Sequence, residues 1–344
     1  LFVGLLHRQV LCVNSDPYAN AYKREIEGDH IDAWERKWEL DSLVSFLRLS
    51  CGYHEKAKDM KPFDEQWLRA VETALKIMVL EQNTLNKNSK GILFQFKTPS
   101  GHLHPAIRME GYGYPNKKCG LVRSVFRPSD DECVFPYLIP ANAKAVVNLR
   151  ALTKILDALG ATDLSHQASS LAHQIDSAIQ TWGIVEHKKF GQIYAYEVDG
   201  FGSSCIMDDP NIPSLLSLPY LGYCKIEDEV YQNTRKMIVS DWNSFYAKGQ
   251  RAKGETSPHV GVCDHFWPMA TVMQAITSQD EQEIIQCLST LKRTHAGTYY
   301  LHESVDVDNE HHFTRHWFAW VNSLFGELIQ NLYLRSPHIL KQQL

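Results

Sequence analysis

Amphipathic segments with helical spacing recur along the chain, and this recurrence restricts the fold more than any other feature of the sequence. Apolar residues at intervals of three or four mark the buried face of a helix. This spacing predicts helices over residues 1–13, 31–54, 142–159, 164–182, 214–223, 228–240, 268–277, 279–293 and 317–334. The segments between them are polar and rich in glycine, proline or histidine. The sequence therefore predicts consecutive helical hairpins whose loops carry the polar residues.

Two of the helical segments have further markers. In residues 31–54 we expect Trp34, Trp38, Leu43 and Leu47 to lie near one face. Asp64 is expected to cap another helix, because an aspartate side chain accepts hydrogen bonds from unpaired backbone N–H groups. The apolar residues of that helix are Trp67, Val71, Ala74, Leu75, Met78 and Val79.

Short strands are predicted at two places between the helices. Residues 91–97 are a strand candidate, and residues 184–198 have the pattern of a hairpin with Lys-Lys-Phe-Gly at its turn. Neither a fixed-period repeat nor a break in composition is visible, so an open solenoid is disfavoured. A single domain over 1–344, built as a closed ring of helix pairs with its chemistry on the loops, fits this pattern best.

Composition excludes several classes of partner. The chain is 44% hydrophobic and 22% charged, as in soluble globular proteins, and its net charge is −5. This charge argues against nucleic acid or an anionic membrane as the main partner. The apolar start of the chain is short and contains His7 and Arg8, so we expect neither a spanning segment nor a signal peptide. Because the chain has no initiator methionine, we expect it to begin inside its gene product.

Cysteine and histidine spacing predicts no metal centre. The eight cysteines occur singly, which favours buried thiols over a disulfide framework, although one or two bridges remain open. The histidines and acids around His259, His265, His302 and His311 lack the spacing of known metal sites. Nucleotide-binding fingerprints and nucleophile elbows are also absent. We therefore expect no metal and no cofactor.

The stretch 121–138, LVRSVFRPSDDECVFPYL, is the best candidate for a rigid catalytic turn. It places Arg123, Arg127 and the pair Asp130 and Asp131 between two apolar runs. Pro-Ser-Asp-Asp predicts a turn or a helix N-cap, and either would hold a carboxylate at a fixed position. The alternative is a capped helix with surface acids.

Three further loops combine acids with small residues, histidines and aromatic residues. They are residues 196–209, 258–268 and 294–304. Paired carboxylates surrounded by aromatic residues are typical of glycoside hydrolases, in which one acid is protonated and the other is ionised. Spacing and composition do not select the pair.

At these loops the sequence resembles the metal-independent exo-α-1,6-mannosidases of glycoside hydrolase family 125. The matching stretches keep one order over nearly the whole chain. They are DPYANA (16–21), ERKWELDSL (35–43), CGLVRSVFRPSDD (119–131), FPYLIPAN (135–142), YEVDGFG (196–202), MDDPNIPSLLSLPYLG (207–222), VYQNTRKMI (230–238), PHVG (258–261), LKRTHAGT (291–298), HES (302–304) and FAWVNSLFGEL (318–328).

The resemblance implies an all-α (α/α)6 barrel with small β-hairpin insertions that releases terminal α-1,6-linked mannose with inversion and without a metal. It places the general acid at Asp130, with Asp131 as the alternative, and the general base at Glu303. A family motif that lines the sugar site lies upstream of residue 1, so we expect a truncated N-terminus with an incomplete first helix pair. The expected substrates are α-mannoside oligosaccharides or pieces of N-glycans.

The matching motifs also suggest substrate contacts. These are Arg36, Asp41, Arg127, Asp131, Asp208, Asp209, His259 and His302. We expect Arg127 to pair with Asp131 and to leave Asp130 protonated, because a cation beside an acid lowers its pKa. In an inverting enzyme the two catalytic carboxyl groups lie roughly 6.5–9.5 Å apart.

Two other functions remain open from the sequence. One is a non-catalytic helical toroid that binds a glycan or a protein, and the other is a related glycosidase or phosphorylase that acts on glucosides. The sequence does not determine the compartment or the oligomeric state.

Overall fold

Helices form most of the regular structure, as the apolar spacing predicts. The computed structural model describes residues 1–86, 88, 92–97 and 107–342. The helices are α1 (Phe2–Ser15), α2 (Leu40–Ala57), α3 (Glu65–Leu80), α4 (Arg108–Gly111), α5 (Ile139–Ala158), α6 (Thr162–Ala178), α7 (Leu218–Leu221), α8 (Glu229–Ile238), α9 (Pro268–Ile276), α10 (Glu281–Arg293) and α11 (Ala319–Arg335). A π-helical segment, Ile179–Gly183, follows α6, and 3-10 turns occupy Pro258–Val260 and Ile339–Lys341.

The strands are short and pair only with antiparallel neighbours among the described residues. They are β1 (Ala21–Tyr22), β2 (Ala33–Glu35), β3 (Tyr137–Leu138), β4 (Ile184–His187), β5 (Gly191–Tyr194), β6 (Glu197–Val198), β7 (Ser204–Cys205), β8 (Tyr246–Lys248), β9 (Lys253–Glu255), β10 (His265–Phe266), β11 (Ser304–Asp306) and β12 (Phe313–Thr314). The sheets have the orders β1-β2, β3-β6-β7, β4-β5, β8-β9 and β10-β11-β12. The expectation of a helical fold is confirmed, but the sheets of the described residues are more than hairpin insertions, because β3-β6-β7 and β10-β11-β12 join strands that are distant in sequence.

The predicted helix over residues 31–54 is wrong in its first third. Residues 33–35 form β2, which pairs with β1, and the helix begins only at Leu40. Backbone hydrogen bonds from Asn20 N to Glu35 O and from Lys23 N to Asp32 O keep this segment extended. Trp34 is consequently 72% exposed, while Trp38 is buried. Pairing with a strand earlier in the chain outweighs the local helical spacing.

The cap at Asp64 is confirmed, since its Oδ1 accepts a 2.9 Å hydrogen bond from Trp67 N. Val79 does not lie on the buried face, because 52% of it is exposed. Residues 92–97 are irregular rather than a strand, and Gly91 lies outside the described residues. The hairpin predicted over 184–198 is present as β4 and β5, but its last residues form β6, which pairs with β3 and β7. The eight cysteines are free thiols.

The chain divides into two compact units, and the prediction of one domain remains untested. The first comprises Leu1–Ile184 and Ala195–Cys205, and the second comprises Val185–Tyr194 and Ile206–Leu344. In the first unit, α5 packs against α2 and α6; in the second, α9 packs against α10 and α11. Every helix of the described residues is too short or too polar to cross a bilayer.

A fully buried ion pair joins the segment after α3 to the stretch that precedes the 127–131 turn. Arg123 Nη1 lies 3.0 Å from Glu81 Oε2, and both side chains have no exposed surface. Arg123 Nη2 donates to Tyr112 O at 2.6 Å, and the Arg123 carbonyl accepts from the indole of Trp38. The pair therefore holds three segments of the first unit together.

We predict that Arg123→Met destabilises the protein strongly. Removing one partner leaves the Glu81 carboxylate buried without its cation, which costs about 3–5 kcal/mol. Urea unfolding measures the change. Arg150→Met is the matched control, because Arg150 pairs with Asp176 at 2.7 Å with 52% of its side chain exposed. Arg150→Met should lower the free energy of unfolding by less than about 1 kcal/mol. Equal losses in the two variants would contradict the role given to the buried pair.

Candidate functional site

The Pro-Ser-Asp-Asp segment forms a tight turn rather than the start of a helix. Asp130 N donates to Arg127 O at 2.9 Å, and Arg127 N donates to Asp131 O at 2.8 Å. Asp130 adopts a φ of +70°, in the left-handed region. A residue other than glycine in this conformation stores about 1–3 kcal/mol of strain, and such strain concentrates at functional sites. The turn presents the Asp130 side chain at 43% exposure.

A lysine and an asparagine hold the Asp130 carboxylate. Lys37 Nζ lies 3.1 Å from Asp130 Oδ1 and 3.0 Å from Glu35 Oε1, so its charge is shared between two acids. Asn20 Nδ2 lies 3.2 Å from Asp130 Oδ1 and is also within reach of Glu35 and Glu39. Burial lowers the pKa of Lys37, but the hydrogen bonds to Glu35 and Asp130 outweigh it and leave the pKa raised. Lys37 therefore stays charged beside Asp130.

Two buried acids lie behind this group. Burial, followed by the charge of Asp41, raises the pKa of Glu39 well above its usual value. Burial also raises the pKa of Asp41, and Lys144 partly offsets the effect. Lys144 Nζ donates to Asp41 O at 3.0 Å, and Asp41 Oδ1 has no hydrogen-bond partner among the described residues. Buried polar atoms are normally hydrogen-bonded, so this oxygen is an exception.

The predicted ion pair between Arg127 and Asp131 is wrong. Arg127 Nε donates to Glu197 Oε1 at 2.6 Å, and this pair is almost fully buried. Glu197 Oε2 accepts from Phe135 N at 3.0 Å, so Glu197 holds both ends of the stretch that contains the turn. The Asp131 carboxylate instead accepts from Ser129 Oγ at 3.0 Å. Sequence proximity favoured Asp131, but the sheet that contains β6 brings Glu197 closer to the guanidinium.

Arg36 lies in a rigid aromatic and acidic setting. Its Nε is 2.7 Å from Asp16 Oδ2, and its guanidinium lies 5.3 Å from the ring centres of Tyr18 and Phe94. Stacking and the ion pair fix a planar cation with 47% of the side chain exposed. Arg36 is therefore available to a ligand in the first unit.

Glu303, the candidate base, lies in the second unit. It precedes β11, and its Oε1 lies 2.7 Å from Nε of Arg315, which follows β12. Arg315 has a φ of +48°. The Glu303 side chain is 8% exposed, whereas that of Arg315 is 60% exposed. A carboxylate fixed by one exposed arginine keeps its second oxygen for another partner, as a general base requires.

His302 supports the Glu303 segment. Its ring stacks on Phe313 with centroids 3.7 Å apart, and Nδ1 lies 3.1 Å from Arg315 O. Its Nε2 lies 3.3 Å from Thr298 Oγ1. Burial lowers the pKa of His302. The ring is therefore held neutral between β12 and the 294–300 loop, next to the candidate base.

Three buried carboxyl groups form a second cluster in this unit. Asp208 accepts from Leu215 N and Leu216 N at 2.8 and 2.9 Å, and Asp209 Oδ2 accepts from Ser257 Oγ at 3.1 Å. Neither oxygen of Glu255 has a hydrogen-bond partner among the described residues. Burial, then the charges of Asp208 and Asp209, raises the pKa of Glu255 well above 4.5. Burial also raises the pKa of Asp208, to about 8, so Glu255 and Asp208 both favour the protonated form.

His259, the remaining candidate, is exposed in a 3-10 turn, and its ring centroid lies 6.4 Å from that of Trp267. No group of three or more His, Cys, Asp or Glu residues suited to a metal ion is present in the described part of the chain. The sequence reasoning did not select Asn20, Lys37 or Arg315. The first two lie inside matching motifs and were detectable there. Arg315 has no local signal, because the β11–β12 pairing alone brings it to Glu303.

Comparisons with known proteins agree on one family. A family model described as "Metal-independent alpha-mannosidase (GH125)" matches residues 1–330. The fungal "Meiotically up-regulated gene 157 protein" of Schizosaccharomyces pombe is 42% identical over 367 residues, which cover 99% of this chain and 72% of that protein.

Solved structures show the same similarity. A metal-independent α-mannosidase from Streptococcus pneumoniae, in a non-productive complex with α-1,6-mannobiose, is 35% identical with a TM-score of 0.88, over 96% of this chain and 79% of that one. A bacterial glucoamylase in complex with acarbose is 13% identical with a TM-score of 0.55, over 90% and 43% of the two chains. The second similarity concerns the fold alone.

We predict that Glu255→Gln flattens the pH dependence of stability. The folded chain keeps a proton on Glu255 that the unfolded chain loses above about pH 4.5. This contribution is complete below that pH and is lost as the pH rises through the folded-state pKa. Glutamine is always neutral, so the variant should gain stability relative to the parent by up to about 1.4 kcal/mol per pH unit.

Urea unfolding between about pH 5 and about pH 8 measures this gain. The control is Glu186→Gln, because Glu186 is an exposed acid of the same unit. Its profile should run parallel to that of the parent. A Glu255→Gln profile that is also parallel would show that Glu255 titrates normally.

Proposed function

The chain belongs to the GH125 family of metal-independent α-mannosidases, and we propose that it releases terminal α-1,6-linked mannose from the non-reducing end of oligosaccharides with inversion. The observation that carries this proposal is the family match over residues 1–330. The linkage is supported by the 35% identical relative, which was solved with α-1,6-mannobiose. The proposed substrates are α-mannoside oligosaccharides, including pieces of N-glycans.

In the proposed reaction Asp130 is the general acid and Glu303 is the general base. Asp130 gives its proton to the glycosidic oxygen as the bond from that oxygen to C1 breaks. Glu303 takes a proton from water, and the water oxygen forms the new bond to C1 on the opposite face. One water molecule is consumed, and exchange with solvent then returns each carboxyl group to its starting protonation state.

The local geometry favours Asp130 over Asp131 as the acid. The left-handed turn presents the Asp130 carboxyl at 43% exposure, whereas the Asp131 carboxylate accepts from Ser129 within the turn. Lys37 contacts both Asp130 and Glu35, so it is not dedicated to Asp130 alone. Asn20 is in position to orient the side chain.

The proposed substrate contacts fall into two groups according to their exposure and their hydrogen-bond partners in the structure. Arg36, Asp41, Asp131 and His259 are proposed as direct contacts, because Arg36 and His259 are exposed, Asp41 has an unsatisfied oxygen and Asp131 lies next to the candidate acid. The others are engaged in buried hydrogen bonds or ion pairs, and we propose that they position the loops. These are Arg127, Asp208, Asp209 and His302.

We also propose that the helices form an (α/α)6 barrel that acts as one catalytic domain. The succession of helices with only short strands between them supports this architecture. A non-catalytic helical toroid would bind α-1,6-mannobiose without releasing mannose. Mannose release therefore distinguishes the enzyme from this alternative.

We predict that Glu303→Gln lowers kcat on α-1,6-mannobiose by about 10²–10⁴-fold, because the attacking water loses its general base. Circular dichroism should show an intact fold. Turnover at the level of the parent would refute the role of Glu303 as the base.

We predict that Asp130→Asn reduces kcat far more than the matched variant Asp131→Asn. The reason is that only the first removes the proton donor. With a dinitrophenyl mannoside, whose leaving group needs no proton, Asp130→Asn should recover most of its activity. A greater loss in Asp131→Asn, or no recovery with the activated substrate, would move the acid away from Asp130.

We predict that the first product seen by proton NMR is β-mannose. Inversion at C1 of an α-linked substrate gives the β anomer, which only later equilibrates with the α anomer. Early appearance of α-mannose would instead indicate retention.

A further inference from the structure

A large groove lies beside the β1–β2 hairpin, within the first unit. Its volume is about 1030 Å³, at the upper end of the usual range of roughly 300–1,000 Å³ for ligand pockets. Such a volume accommodates more than one sugar ring. The lining residues that carry the argument are Tyr18, Trp34, Glu35, Arg36 and Phe94.

The groove contains an exposed aromatic surface that packing does not explain. Trp34 is 72% exposed, whereas Trp38 and Trp67 in the same unit are fully buried. β2 is held extended by its pairing with β1, which fixes the backbone of Trp34 in place. An exposed indole on a fixed backbone offers a flat apolar face at low entropic cost. The C–H face of a pyranose ring matches such a surface.

The groove also contains a fixed hydrogen-bond donor. The guanidinium of Arg36 is held by Asp16 and by the rings of Tyr18 and Phe94. Asp16 contacts its Nε, and an arginine side chain has four further N–H groups. A rigid donor beside an aromatic face suits a ligand that has hydroxyl groups around an apolar ring.

The groove is connected to the candidate acid through one residue. Glu35 lines the groove, and it shares Lys37 with Asp130 at distances of 3.0 and 3.1 Å. Asn20 Nδ2 makes a second link, because it lies 3.2 Å from both Glu35 Oε2 and Asp130 Oδ1. A general acid protonates the oxygen of the leaving group, so the leaving sugar lies on the acid's side.

We propose that this groove binds the mannose units that follow the leaving sugar on the reducing side of the cleaved bond, with Trp34 as the stacking platform and Arg36 as the hydroxyl donor. This inference rests on the proposed function, because it places the groove relative to the acid Asp130. Its occupant is an oligomannoside longer than a disaccharide. The enzyme therefore prefers longer chains over mannobiose.

The test compares kcat/KM for α-1,6-mannobiose and for α-1,6-linked mannotetraose. The parent should favour the tetraose, and Trp34→Ala should lower the tetraose-to-biose ratio by about tenfold, since the stacking surface is lost. Trp34→Phe keeps an aromatic ring and should restore most of the ratio. Trp242→Ala is the matched control, because Trp242 is a 39% exposed tryptophan of the second unit, and its ratio should equal that of the parent.

A binding measurement separates this inference from the proposed function. Calorimetric titration with mannotetraose compares Glu303→Gln with the double variant that also carries Trp34→Ala. About tenfold weaker binding in the double variant supports the groove, even if the parent hydrolyses neither substrate and the proposed function fails. Equal affinities of the two variants for mannotetraose would overturn the inference. So would a tetraose-to-biose ratio that is the same in the parent and in Trp34→Ala. Neither result would contradict mannobiose hydrolysis.

Discussion

The buried ion pair between Arg127 and Glu197 is the interaction on which the candidate acid depends. Its atoms lie 2.6 Å apart, with 4% and 0% of the two side chains exposed. Removing two charges from water costs several kcal/mol per ion, and close pairing with added hydrogen bonds offsets this cost. Glu197 also accepts from Phe135 N, and it belongs to β6, which pairs with β3. The pair thus anchors the turn at residues 127–131 to a sheet and allows Asp130 to keep a strained backbone.

The two candidate catalytic acids have different surroundings. Asp130 is 43% exposed and shares a lysine with Glu35, while Glu303 is 8% exposed and has Arg315 at 2.7 Å. Asp130 is therefore open to solvent and shares its cation with a second acid, whereas Glu303 is enclosed beside an arginine. Asp130 itself has a left-handed backbone, and Glu303 contacts Arg315, whose backbone is also left-handed. Such strained conformations are expected at positions fixed for function.

Predictions from the local sequence were correct where interactions within one segment determine the structure. The Asp64 cap and the helices α5, α6, α9 and α10 follow from side-chain chemistry and apolar spacing within one segment. The same reasoning was wrong where a segment distant in sequence supplies the pairing partner. Residues 33–35 pair with β1 instead of extending α2, and Arg127 binds Glu197, which is 70 positions away. The family resemblance selected Asp130 and Glu303 as candidates, but it gave no information about their immediate partners.

The sequence by itself determined the helical character of the chain and the family to which the chain belongs, because apolar spacing and motifs are encoded in contiguous residues. Only the tertiary structure decided which cation faces each carboxylate and that Trp34 is exposed beside a groove. The physical reason is that ion pairs and burial depend on atoms brought together from remote segments. Lys37 reaches Asp130 across 93 positions, while Asp131, next to Asp130, is held by Ser129.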